Sequence, residues 1–108
     1  MTEGTKLGLR VCEYGEFFAT RSLGQKVRMA AAALLAKHPD AQVLVLNFDA
    51  VEAITNGCAD EMVAKLVEQQ VDRRIRVSGC NEAVWEAIAT VLPRRGYGVG
   101  IDEETDRD

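Results

Sequence analysis

The side chains in this 108-residue sequence with reactive potential are three cysteines (Cys12, Cys58, Cys80), one histidine (His38) and an acidic pair, Asp60 and Glu61, two residues beyond Cys58. A cysteine exposed near a helix N-terminus has a lowered pKa, so Cys58 invites a thiolate reading, and Cys80, ending the adjacent strand, would share its sheet edge. No CxxC and no neighbouring histidine supports nucleophilic chemistry there, and unpaired cysteines commonly pack as small hydrophobes. An odd cysteine count without Cys/His ligand spacing argues against a disulfide framework and against a zinc site. His38 stands before Pro39, the place of a helix-ending cation facing the C-terminal dipole. No metal and no cofactor are expected.

The segment Asn47 to Glu61 is the best candidate surface. It leaves an apolar run, makes a turn of small and polar residues, and enters a helix whose first backbone N–H groups lack intrahelical partners. Thr55, Asn56, Gly57, Cys58, Asp60 and Glu61 are the expected partner contacts. For Asp60 and Glu61 the competing expectation is only a favourable charge near the positive end of the helix dipole. Arg73, Arg74 and Arg76, with Arg94 and Arg95, form two small basic groups without interleaved aromatics, which reads as a solvated face rather than a stacking platform for nucleic acid. Gly96, Gly98 and Gly100 lack the following G-K-[ST] of a phosphate loop.

Elements that would position these residues follow from periodicity. Lys6 to Tyr14 alternates through Leu7, Leu9 and Val11, a strand with one wet face, and Phe17–Phe18 after Gly15 reads as the return arm of a short hairpin. Ser22 and Gln25 have capping-box spacing, and Leu23, Val27, Ala30, Ala31, Leu34 and Leu35 then recur at helical steps until Pro39. Gln42 to Phe48 is an unbroken apolar run, expected as a central strand covered on both faces. Val51 and Ile54 plug the connection that follows. A helix from about Gly57 to Gln70 carries the stripe Ala59, Met62, Val63, Leu66 and Val67. Arg73 to Ser78 is a third strand, and Asn81 caps a helix whose Val84, Trp85, Ile88 and Leu92 face inward before Pro93. A last strand around Tyr97, Val99 and Ile101 is weakened by its glycines. Residues 102–108, five acids and one arginine, read as a solvated, mobile tail after a single domain of residues 1–101.

Strand and helix alternate three times, which specifies an α/β fold with a mostly parallel sheet, helices packed on it and an N-terminal edge strand or hairpin. Such a sheet works at the carboxyl ends of its strands, here Asn47 to Cys58 and Ser78 to Asn81. At 47% hydrophobic and 28% charged the composition is that of an ordinary globule large enough for a core. A net charge of -4 and a pI near 5.0 disfavour nucleic acid as a partner. With no apolar stretch of membrane-spanning length and no signal-peptide pattern at Met1 to Leu7, a cytoplasmic protein without a membrane partner is expected.

Phe48, Asp49, Val51, Ile54, Thr55, Ala59, Asp60 and Glu61 together resemble the STAS domains, the anti-sigma factor antagonists, and more closely a STAS-like subfamily. That subfamily's pattern is a strand ending in an Asp-Phe or Phe-Asp pair, then Gly/Ala-Val, Ile-Thr, and a helix opening Ser-Phe-Ala-Asp-Glu. Thr20, Arg21 and Ser22 resemble its approach to the first helix, so the likeness spans about residues 6 to 92. It implies a βαβαβα domain that is not an enzyme and that regulates by binding a protein, a histidine-kinase-like ATPase or an anti-sigma-type regulator. Regulatory STAS proteins are switched by phosphorylation of a serine at this helix start, which adds a charge of about -1.5 to -2. The matching position here is Gly57, and Cys58 stands where the subfamily places an aromatic, so no phosphoswitch is expected. Thr55, the nearest hydroxyl, is expected to cap the turn, with phosphorylation there as the weaker alternative. The alternative is a small-molecule or anion-binding module, or a thiol-dependent enzyme, using the same helix start. A homodimer through a sheet edge or helix face is a further expectation.

Overall fold

The computed structural model describes residues 5–96 and the backbone of 103–104. Four parallel strands make the main sheet in the order β1 (Thr5–Arg10), β3 (Ala41–Asn47), β5 (Arg74–Ser78) and β6 (Glu103–Glu104). The long helices are α1 (Arg21–Lys37) and α4 (Glu82–Val91). Between them a continuous helical rod, 56–69, consists of α2 (Asn56–Ala59), a π-helical stretch (Asp60–Ala64) and α3 (Lys65–Gln69). No helix among the described residues is long and apolar enough to cross a membrane.

The strand order advances by one place at every crossover, and right-handed crossovers in a sheet that never reverses put all helices on one face. The packing agrees: α1 lies against α2, the π stretch and α3, and α4 lies against α2 and the π stretch. Beneath them Leu44 and Leu46 are fully buried, with Leu7 and Leu9 beside them in register on one side and Ile75 and Val77 on the other. Each of the buried leucines contributes roughly 1.5–3 kcal/mol of hydrophobic stabilisation.

The opposite face has no helix among the described residues. Its rows are Lys6–Val43–Arg74, Gly8–Val45–Arg76 and Arg10–Asn47–Ser78. Among the described residues the apolar run in β3 therefore has a helical layer on one face only. Val43, half-buried, and Val45, buried, lie on the face away from the described helices, while Leu44 and Leu46 enter the core.

Phe17–Phe18 is a strand, β2, but not the return arm of a hairpin. It pairs in parallel with β4 (Ala53–Ile54), Phe17 beside Ala53 and Phe18 beside Ile54, in a separate two-stranded sheet. Val11–Tyr14 forms a 3-10 turn after β1, and Gly15 turns the chain at φ 144°, in the region that favours glycine. The chain thus never doubles back along β1, which stays at the sheet's edge.

Caps follow local chemistry. Thr20 in extended conformation accepts from the Leu23 N–H at 3.2 Å, so the cap of α1 is Thr20 and not Ser22. Thr55 caps α2 by accepting from Cys58 N–H at 3.2 Å, and Asn81 caps α4 by accepting from Val84 N–H at 2.8 Å. Pro93 begins a 3-10 turn (Pro93–Arg95) that ends α4's run. The strand expected around Tyr97 to Ile101 lies outside the described residues, as does most of the acidic end. Within that end Glu103–Glu104 pairs with Val77 and Ser78.

Candidate functional site

The connection from β3 to the rod is held from two sides, by the segment 16–18 and by Asn81. Glu52 N–H donates to the Glu16 carbonyl at 2.8 Å, and Thr55 N–H donates to the Phe18 carbonyl at 2.9 Å. The Asn81 amide donates to the carbonyls of Val51 at 3.3 Å and Glu52 at 3.0 Å. Val51 and Ile54 are buried plugs, as their spacing predicts. The helix entrance is consequently fixed in space by backbone bonds, which suits a recognition surface that must be presented rather than moulded.

Each residue expected there has a definite place. Thr55 and Asn56 are exposed, and Gly57 is half-buried. A Cβ on Gly57 would lie 3.3 Å from Arg21 Nε, so the arginine already covers the position where the resemblance sets a serine. Cys58 is fully buried. It faces α1 at Gly24, where a Cβ would sit 3.0 Å from its sulfur and 2.6 Å from its carbonyl oxygen. Burial pushes the Cys58 thiol up to about 11, with Glu61 adding to the rise, although a backbone hydrogen bond from Gly24 works against it. That is the reverse of the activated thiol expected of an exposed helix start, so Cys58 offers no thiolate near neutral pH.

Asp60 and Glu61 are also not presented outward. Arg95 grips Asp60 through Nε to Oδ1 at 2.6 Å and Nη2 to Oδ2 at 2.8 Å, and Arg21 adds a third contact at 3.2 Å. The Glu61 carboxylate meets Lys65 at 2.7 Å and both Arg28 and Arg21 at 3.4 Å. Arg28 also donates to the Glu61 backbone carbonyl at 2.9 Å. The Arg95 bonds, aided by Arg21, pull Asp60 down to about 2 against a smaller desolvation effect, and the bond from Lys65 leads those that lower Glu61. Arg95 is raised in turn, chiefly by Asp60. Arg95 also reaches Glu68 at 3.1 Å, so it belongs to this network rather than to a solvated basic group.

The cause is the rod's position. It contacts α1 on one side and α4 on the other, and Glu61, Met62, Val63 and Ala64 are buried in succession along its π stretch. Along this stretch the rod turns little surface to solvent, and a carboxylate carried there must be paired. Asp60 and Glu61 are therefore braces between helices, paired by Arg21, Arg28, Lys65 and Arg95. π stretches are frequent at functional sites, and this one sets the braces directly behind the exposed entrance.

The sequence reading overlooked Phe17. It is 66% exposed, and parallel pairing places it beside Ala53, two residues before Thr55. Its neighbour Phe18 is buried, and alternation in a strand allows only one of the pair to enter the core. Arg21, with 59% of its side chain exposed, borders the same surface over Gly57. No protein-family model and no curated protein matches this chain.

Proposed function

We propose that the domain is a non-enzymatic regulatory module that binds a protein partner at the entrance of its second helical segment, as the resemblance to STAS-like domains implies. The observation that carries this reading is Phe17, a large exposed aromatic on a strand that is hydrogen-bonded to the segment presenting Thr55 and Asn56. An aromatic anchor ringed by polar residues on a rigid support is the anatomy of an interface hot spot. The contact set becomes Phe17, Arg21, Thr55, Asn56 and Gly57, with Cys58 and Glu61 withdrawn beneath it. The buried thiol of Cys58 does not favour a thiol-dependent enzyme at this place. By resemblance, the partner is an ATPase of the histidine-kinase-like anti-sigma type or a regulator acting with it.

The test is capture of the partner by affinity purification from the native host, followed by binding measurements with the double variant Phe17→Ser, Asn56→Lys. Both positions are exposed, so thermal stability should be little changed while affinity falls by at least ~100-fold, a loss of about 2.7 kcal/mol. Unchanged affinity rejects the surface. A saturable thermal shift with a nucleotide or metabolite, lost in the same variant, would instead assign the entrance to a small ligand.

A further inference from the structure

The rim of the helix entrance carries charge that the protein itself does not balance. On the rod, Asp60, Glu61 and Glu68 are each met by an arginine or a lysine. Around the entrance Glu16, Glu52 and Glu82 are exposed, and none of them makes an ion pair or a side-chain hydrogen bond with a described residue. Backbone bonds hold the three segments that carry them together. The Glu16 carbonyl accepts from Glu52 N–H at 2.8 Å and from Ala53 N–H at 3.4 Å, and the amide of Asn81, the residue before Glu82, donates to the Glu52 carbonyl at 3.0 Å. Phe17 follows Glu16 and pairs beside Ala53, so the exposed aromatic stands one chain step from Glu16 and, across the pair, from Glu52. The cations nearest along the chain are engaged elsewhere: Arg21 is shared between Asp60 and Glu61, and Arg10 reaches the Cys12 sulfur.

Like charges fixed on adjoining segments repel one another in the free protein, and a cationic visitor relieves that repulsion. An anionic metabolite or nucleotide would meet the same carboxylates and be turned away. A metal ion does not suit them either, because among the described residues no three acidic, histidine or cysteine side chains stand close enough to hold one. Carboxylates spread along a rim fit several side chains of one segment, and Phe17 supplies the apolar contact that such a segment needs. A second copy would have to offer Lys26 and Lys37, exposed on α1, in a head-to-tail contact that does not close on itself.

Resting on the reading that Phe17 and the helix entrance form the contact surface, we propose that what docks there is a basic segment of the protein partner. One apolar side chain of that segment covers Phe17, and flanking lysine or arginine side chains meet Glu16, Glu52 and Glu82. The apolar anchor supplies affinity, while the carboxylates speed encounter and reject acidic partners.

The probe is the peptide Lys-Leu-Arg-Leu-Lys, acetylated and amidated at its ends, titrated at low salt against the full chain while backbone amide NMR signals are followed. Glu-Leu-Gln-Leu-Glu is the acidic control. Saturable shifts centred on Phe17, Ala53 and Asn81 are expected, with affinity at least ~10-fold above the control's and falling as salt screens the charges. Glu16→Lys with Glu52→Lys should lower affinity by ~10-fold or more, and Glu16→Gln with Glu52→Gln by a smaller factor. Both positions are exposed, so the fold persists in either pair. Phe17→Ser should weaken binding by ~10-fold as well. The proposal is overturned by absence of a saturable shift, by equal binding of the acidic control, or by either the charge-reversed pair or Phe17→Ser binding as the parent does. With the captured partner, affinity lost in Phe17→Ser, Asn56→Lys but kept in Glu16→Lys, Glu52→Lys overturns the basic segment and leaves the entrance as the contact surface. Affinity kept in both overturns the entrance itself. Self-association of the chain that disappears in the charge-reversed pair also overturns the proposal, assigning the rim to α1 of a second copy.

Discussion

Arg95 and Asp60 form a two-bond clasp, 2.6 and 2.8 Å, that ties the turn after α4 to the π stretch across 35 residues of chain. With Arg21 and Arg28 reaching the same stretch from α1, the rod is held on both flanks by cations that it neutralises.

Removing the clasp should loosen the helical layer. Asp60 has 13% of its side chain exposed and Arg95 25%, so Arg95→Ala leaves a mostly buried carboxylate with only the longer Arg21 contact. A loss of about 2 kcal/mol is expected, discounted from the 3–5 of a fully buried pair because Arg95 is partly solvated. Urea unfolding measures it, and a loss below ~0.5 kcal/mol would show the clasp to be energetically idle.

The acid side of the stability profile should report the same network. Asp60 is held at about 2 in the folded chain, and Glu61 is also lowered. An unfolded carboxylate titrates near 4, so the native state favours the ionised form. The stability this contributes is fully present above that unfolded value and is lost as pH falls from about 4 towards 2. Asp60→Asn should flatten the slope of stability against pH in that window. A slope identical to the parent's would place the acid sensitivity in other carboxylates.

Gly24→Ala tests the closest approach of α1 to the rod. Alanine is the better helix former by about 1 kcal/mol, which alone would stabilise the variant. Its Cβ would, however, lie 2.6 Å from the Cys58 carbonyl, a backbone atom that cannot swing aside. Overpacking of this kind costs roughly 1–3 kcal/mol, so net destabilisation is expected from thermal melts. A raised Tm would mean that the two helices can separate freely.

Cys58 should resist thiol reagents while the chain is folded. It is fully buried and its thiol is pushed up to about 11, whereas Cys12 is half-buried. Alkylation near pH 8 followed by peptide mapping should label Cys12 well before Cys58, and Cys58 labelling should accelerate in denaturant. Rapid labelling of Cys58 in the native chain would revive a reactive thiol at the helix entrance.

Local interactions were legible from the residues alone. Asn81 and Thr55 cap helices because a short polar side chain bonds an amide three residues ahead, and that geometry needs no other part of the molecule. The parallel α/β alternation, the plugs Val51 and Ile54 and the inward stripe of Val84 and Ile88 rest on the periodicities of strand and helix. Glu61 with Lys65 is the one brace at i,i+4 spacing, so the sequence could have shown it.

Tertiary structure decided what those periodicities leave open. Whether β3 is covered on one face or two depends on the direction in which successive crossovers advance, and no pattern within β3 encodes that. Which phenylalanine of the Phe17–Phe18 pair is exposed depends on its pairing with Ala53–Ile54, more than 30 residues away. Asp60 and Glu61 look like surface charges at a helix start until Arg21, Arg28 and Arg95 converge on them from 33 to 40 positions distant. Hydrogen bonds within a turn are fixed by local geometry, but the partner of a charge on a surrounded helix is fixed by which elements pack around it. That packing is a property of the whole chain.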